Sequence, residues 1–396
     1  MGSSNRGTAF RTPPEALSDE QARLEPFDWY AEMRSTQPVR YDEQRRRWDV
    51  FGYDDVSEVL GDHERFTADI ASADIRFTDG SPLGTTAETP SMIRTDPPEH
   101  ERLRNFSNHR FLPGTLAESR ERFERIADDI LDTVETGTTV DIIEEFSHPF
   151  PVTVIADLLG LPAVDREQFR EWSIATTELA MTDEEEAKKA QREMSDYFSE
   201  LIPDRIDGDG DDLITLAASN DELNHEEVVR FCITILVAGN VTTVNLITST
   251  LWCLEEHDLF DAVRAGKIDR SKLIEEVLRY RSPAQAVRRV TTEPVEIGGR
   301  QIDENELVVA RIGSANRDPS KFDAPNEFRP ERNPNPHLTF GGGIHFCLGA
   351  QLARLEADIA LERLLDRFGV IEPDLSDLSP QSLVYGVDSL PCYVSE

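Results

Sequence analysis

Cys347 is the residue around which chemistry could form. It lies in Phe340-Gly341-Gly342-Gly343-Ile344-His345-Phe346-Cys347-Leu348-Gly349, which runs directly into Ala350-Gln351-Leu352-Ala353-Arg354. Three successive glycines carry no Cβ, so the backbone there can pass close to a flat or bulky group. A cysteine in such a place can ligate a metal, attack a substrate, or simply fill a buried site. Zinc fits poorly: no CxxC or HExxH lies nearby, and Cys232, Cys253 and Cys392 are scattered along the chain. From Leu348 the apolar residues Leu352, Leu355, Ile359 and Leu364 recur at helical spacing. The sulfur therefore stands at a helix start, where free N–H groups and the positive dipole end favour thiolate over thiol.

Three further groups of residues invite chemistry. Asp96-Pro97-Pro98-Glu99-His100-Glu101-Arg102-Leu103-Arg104 reads as a helix capped by Asp96, with His100 and Arg104 on one face, able to hold an anion. Ala238-Gly239-Asn240-Val241-Thr242-Thr243 lies inside a long helix that begins near Asn224. There Ala238, Thr242, Asn245 and Ser249 form a stripe of small and polar residues that would admit a flat group. A mid-helix threonine alone could equally bond back to its own helix. Leu273 to Tyr280 reads as an apolar helix that carries Glu276 and Arg279 three apart, a buried pair that needs a further partner. One axial thiolate beside a flat cofactor fits haem.

Together these motifs resemble those of the cytochrome P450 family in its bacterial and archaeal form. The resemblance runs from Asp96 to Arg354 and so covers nearly the whole chain. It implies haem b, with Cys347 as the ligand to iron in the loop that contains Phe340, Gly341 and Gly349, and Ala238 and Gly239 opposite. It implies anion contacts to the haem propionates from His100, Arg104, Arg289 and His345. Thr242, helped by Asn240 and Thr243, would deliver protons during dioxygen activation, and Arg332 would complete a Glu276–Arg279 network. The segment Thr67 to Pro90 and the helices Phe169 to Met181 and Tyr197 to Ile206 would cover the substrate.

The implied reaction is monooxygenation: one oxygen atom of dioxygen enters an apolar or amphipathic small organic substrate. No GxGxxG follows a strand, so electrons would come from a separate ferredoxin, docked at arginines such as Arg102, Arg110 and Arg354. One position departs from the family pattern. An Asp or Glu usually precedes the threonine, whereas this chain has Val241, which has no titratable group to relay a proton. A peroxide-driven or rearranging haem-thiolate enzyme is therefore the alternative reading, and a non-catalytic haem sensor a lesser one.

These residues must be positioned by a mainly α chain with a small β region, read as a single α+β domain over 1–396. A β-containing region spans about 36–53, a helical core about 97–282, and a β and haem-ligand region about 286–396. Val39 to Tyr41 and Trp48 to Phe51 read as strands, as do Val287 to Thr291 and Leu307 to Val309, with a hairpin at Gly298-Gly299. Leu116 to Ile206 reads as helical throughout, with Phe123, Ile126, Ile130 and Val134 at helical spacing. Phe231 to Leu254 carries no formal charge and is long enough to cross a membrane, but its many polar groups point instead to a helix inside a protein.

Seventy-seven acidic against forty-one basic residues leave a net charge of −36, which excludes nucleic acid and anionic membrane surfaces as partners. Lysine occurs only at 188, 189, 267, 272 and 321, while the carboxylates are spread along the chain, the pattern of a halophile's solvated surface. Met1 to Arg11 has neither the charge nor the apolar run of a signal peptide, and the four scattered cysteines suit a reducing cytoplasm.

Overall fold

The computed structural model describes residues 14–73, 91–162, 165–177, 184–206, 208–381 and 384–396. Most of the segment expected to cover the substrate, 74–90, and the end of the first expected lid helix with the two residues after it, 178–183, lie outside these residues, as does the start of the chain.

The molecule is built around the helix His225–Glu256. Its start is held by a reciprocal cap: Glu227 N donates to Asn224 Oδ1 at 3.1 Å and Asn224 N donates to Glu227 Oε2 at 2.9 Å. A helix apolar on every side must be covered on every side. Helices Pro149–Leu159, Arg166–Thr177, Glu184–Leu201, Arg270–Tyr280 and Ala350–Arg367 pack around it, and 83% of its most apolar window is buried inside the protein. The polar residues of the helix become tolerable because their hydroxyls bond back to its own carbonyls: Thr248 to Val244 O at 2.9 Å and Thr250 to Leu246 O at 2.7 Å.

A five-stranded sheet stands beside the helices, in the order Val39–Asp42, Arg47–Val50, Leu307–Ala310, Val287–Thr291 and Phe66–Thr67. Strands 47–50 and 307–310 run parallel and the other pairs antiparallel, so segments more than 200 residues apart share one sheet. Residues 295–297 and 300–302 form the expected hairpin, with Gly298 and Gly299 at φ of 54° and 73°, the left-handed geometry that its turn requires.

The uniform helical reading of Leu116 to Ile206 is corrected. The helix Pro113–Leu131 stops before Val134, and Thr138–Asp141 is a strand paired with Pro391–Ser395, which also pairs with Val370–Pro373. Val134 is buried all the same, so its apolar character was real while its periodicity was coincidental. Pairing with the last residues of the chain decides the conformation here, and no local pattern reports it.

Candidate active site

The loop around Cys347 is closed by its own backbone. Cys347 N donates to Phe340 O at 2.8 Å and Phe346 N to Gly343 O at 3.1 Å. Gly341 and Gly343 adopt φ of 75° and 61°, and a Cβ on Gly343 would lie 2.8 Å from Gly61 O, so glycine is required at 343. Arg104 secures the loop from the helix Glu99–Asn105, donating to Ile344 O at 2.9 Å and Phe346 O at 2.6 Å.

On the side of Cys347 next to the helix Ala350–Arg367, Arg354 spans Glu275 with two bonds of 2.5 and 3.0 Å and covers the Phe340 ring at 4.4 Å. His337 Nε2 lies 3.0 Å from the same carboxylate. Burial alone would raise the Glu275 carboxyl, but His337 and Arg354 outweigh it and hold it down at about 2.

Glu276, the neighbouring residue, is wholly buried and receives Arg279 at 2.7 and 2.8 Å and Arg332 at 3.0 and 3.1 Å. Arg329 N and Asn335 Nδ2 also donate to it, and Arg279 spends its remaining donors on the carbonyls of Asn316, Pro325 and Glu327. A buried ion pair is tolerable only when its hydrogen bonds are completed in this way. Here they tie the segment that leads into the cysteine loop to the helix Arg270–Tyr280.

Cys347 is exposed and lines a cavity of about 380 Å³. Ala238, Gly239, Thr242 and Thr243 of the central helix form part of its wall, and Phe340, Gly341, His345 and Gly349 another part. Much of the remaining lining is apolar, including Met92, Ile93, Ile235, Ala284 and Val287. At the rim, Arg289 is pushed down to about 10 by burial, with Arg94 adding to the effect and Asp96 opposing it. His100 and His345 stack edge to face at 4.5 Å, and both His100 nitrogens are buried without a hydrogen bond. Burial, then His345 and Arg104, push His100 down to about 4.

A relative in Bacillus subtilis, the putative cytochrome P450 YjiB, is 37% identical over 384 residues, which are 94% of each chain. The chain belongs to the cytochrome P450 family. The Cytochrome P450 profile itself matches residues 271–385. The erythromycin C-12 hydroxylase of Saccharopolyspora erythraea is 36% identical over 375 residues, 91% of each chain. Among solved structures, CYP109E1 from Bacillus megaterium in complex with testosterone superposes with a TM-score of 0.84 at 39% identity, covering 95% of this P450 and 99% of that chain. P450 monooxygenases bind haem b and use dioxygen and an electron-transfer partner.

The cavity fits that cofactor. A thiol lines it on one side, small residues of the central helix line another, and the cationic Arg289 and Arg104, with the unsatisfied nitrogens of a neutral His100 nearby, suit two propionates in a chain otherwise strongly anionic. When bound through a cysteine thiolate, haem supplies an electron-rich iron that favours O–O cleavage.

The geometry also corrects several expectations for this P450. Burial outweighs the Gly349 N–H and the nearby arginines, so in the protein alone the Cys347 thiol lies above its ordinary range and not below it. Asp96 does not cap the helix, which starts after Pro98; its carboxylate receives Thr67 Oγ1 and Ala68 N and faces His345 Nε2 at 3.3 Å. Asn240 points away from the cavity and donates to Ser173 Oγ at 2.7 Å, while Asn245 donates to Gln381 Oε1 at 2.7 Å. The wall therefore follows 235, 238, 239, 242, 243 and 246, not the stripe through Asn245 and Ser249.

Gly239 is constrained by its neighbouring helix: a Cβ there would lie 2.6 Å from Ile155 Cδ1. Arg102 is held by Glu99 and Glu227 and Arg354 by Glu275, which removes both as free docking cations; Arg110 meets Asp211 at 3.4 Å. Several wall residues escaped the sequence reading, among them Met92, Ile93, Ile235 and the acid Glu356. For Glu356, the position between Leu352 and Ile359 on the buried face of a helix was the available signal.

Proposed function

We propose that this P450 acts as a dioxygen-dependent monooxygenase on apolar or amphipathic organic molecules, with electrons from a ferredoxin. The observation that carries it is the opening of Cys347 into an apolar-walled cavity that includes Thr242. Those walls exclude water and orient the substrate by shape. Thr242 donates to Ala238 O at 3.2 Å, and rotation of its side chain would turn the hydroxyl toward the cavity as a proton carrier. His100, Arg104, Arg289 and His345 are read as the propionate contacts. The erythromycin hydroxylase and the testosterone-bound structure support a bulky, amphipathic substrate. The whole chain is read as one haem-holding domain working in a salt-rich cytoplasm.

The test is the visible spectrum in molar salt, titrated with steroids, macrolides, terpenoids and fatty acids, followed by turnover with reduced ferredoxin. A thiolate-type carbon monoxide band, a spin shift with one class and an oxygenated product are expected. Replacement of Cys347 by Ser removes the band. A band without oxygen-dependent product, but with product from hydrogen peroxide, would favour the second reading, which Val241 motivates.

A further inference from the structure

Residues 281–286 connect the helix Arg270–Tyr280 to the strand Val287–Thr291, and Pro283 and Ala284 of this connection line the cavity. Residues 283–286 have no regular structure. Among the described residues their backbone makes two hydrogen bonds to other segments, from Tyr385 N to Pro283 O at 2.9 Å and from Gly313 N to Gln285 O at 3.1 Å. A segment held by so few backbone bonds depends on side chains for its position.

Gln285 provides them, although it is not part of the wall. Its Nε2 donates to Ser282 O at 2.7 Å, which closes the connection on itself, and its Oε1 accepts from the Tyr30 hydroxyl at 3.0 Å. Tyr30 lies 255 residues away in the helix Phe27–Thr36. Its phenol is pushed up to about 12 by burial and so remains a donor. That helix is itself anchored: Arg34 donates to Ser314 O at 2.9 Å and to the Ser314 hydroxyl at 3.0 Å, and the Arg317 guanidinium covers the Phe27 ring at 3.5 Å. On a further side, a Cβ on Gly313 would come within 2.6 Å of Gln285 Cδ, so glycine at 313 leaves the carboxamide its seat.

We propose that Gln285, seated by Tyr30 and Gly313, is a positioning residue for ligand size: from outside the cavity it sets how far Pro283 and Ala284 stand into it. The inference rests on the ligand-accepting haem cavity of the reading above. Neither wall side chain carries a polar group with which to select a ligand, so their contribution is the space they leave. A hydrogen bond that fixes their position therefore acts on bulky ligands and hardly on small ones.

Tyr30→Phe removes one bond to the carboxamide, and Gln285→Ala removes the carboxamide. In the haem-loaded protein, imidazole and the much bulkier clotrimazole are titrated by the shift of the Soret band, a measurement that needs neither dioxygen nor ferredoxin. Both variants should retain the carbon monoxide thiolate band and the wild-type affinity for imidazole. Affinity for clotrimazole relative to imidazole should rise by about 3–10-fold as the wall yields, the range set by the net worth of one hydrogen bond. The double variant should match Gln285→Ala, because the Tyr30 hydroxyl then has nothing to hold. If Gln285→Ala fails to hold haem, Tyr30→Phe carries the same test.

An unchanged or lowered ratio in Tyr30→Phe, an equal change for both ligands, or additive effects in the double variant overturns the proposal. Each of these leaves the monooxygenase reading intact provided the wild type shows the thiolate band and forms product from dioxygen. A wild type without that band sinks that reading, and the proposal with it.

Discussion

Val241 lies on a buried side of the central helix, so the missing acid cannot simply be restored. Val241→Glu would place a carboxylate among protein atoms, and an unfolding free energy lower by about 1–3 kcal/mol is expected from denaturant titration. An unchanged midpoint would mean that position 241 reaches water. Glu275 makes a pH-dependent contribution whose sign is determined by its pairing with Arg354 and His337. Held at about 2 in the folded chain, it binds fewer protons there than a free glutamate near 4.3. Its stabilisation is therefore full above about pH 5 and disappears as the pH falls toward about 2. Glu275→Gln should lower the thermal midpoint near neutral pH, and its difference from wild type should vanish on acidification. A difference that stays constant with pH would assign the loss to packing.

At the scale of elements, the contact between the central helix and helix Pro149–Leu159 depends on Gly239. Gly239→Ala forces its new Cβ onto Ile155 Cδ1, with a loss of about 1–3 kcal/mol expected. Ile155→Val removes that methyl, and the double variant should recover much of the loss in equilibrium unfolding. Recovery of nothing would mean that the cavity side, not the helix contact, demands glycine. The Glu276 network joins helix Arg270–Tyr280 to the segment before the cysteine loop, and Arg279→Leu leaves a buried carboxylate with only part of its partners. A cost of about 3–5 kcal/mol is expected, together with lost haem retention in the Soret band.

For the whole molecule, charge dominates. Arg120 and Arg270 each bridge Asp358 and Glu362 at 2.6–2.9 Å and so pin three helices together, yet pairing every base would still leave a net charge of −36. Half-exposed pairs contribute little, whereas mutual repulsion among the remaining carboxylates is long-ranged in dilute salt and is screened to about 3 Å at 1 M. The thermal midpoint should therefore rise as potassium chloride goes from about 0.1 to 2 M. A midpoint that falls with salt would show that ion pairs outweigh repulsion, and the halophilic reading would be abandoned.

Features written in neighbouring residues were legible directly. The Asn224–Glu227 cap, the Gly298-Gly299 hairpin, the glycine-bracketed Cys347 loop and the Glu276–Arg279 spacing each depend on a few adjacent dihedrals, so type and spacing specify them. With the family resemblance they sufficed for the cofactor class. Other properties were settled only by packing. The strand Thr138–Asp141 forms because the end of the chain pairs with it, and Arg102 and Arg354 lose their freedom to acids distant in sequence. Asn240 turns to Ser173, and Glu356 becomes an unpaired buried acid because one helix lies against another. Whether a polar group is solvated, paired or stranded depends on what surrounds it in three dimensions. That is why Cys347 stood out in the sequence alone, whereas the stranding of Glu356, nine residues further along, did not.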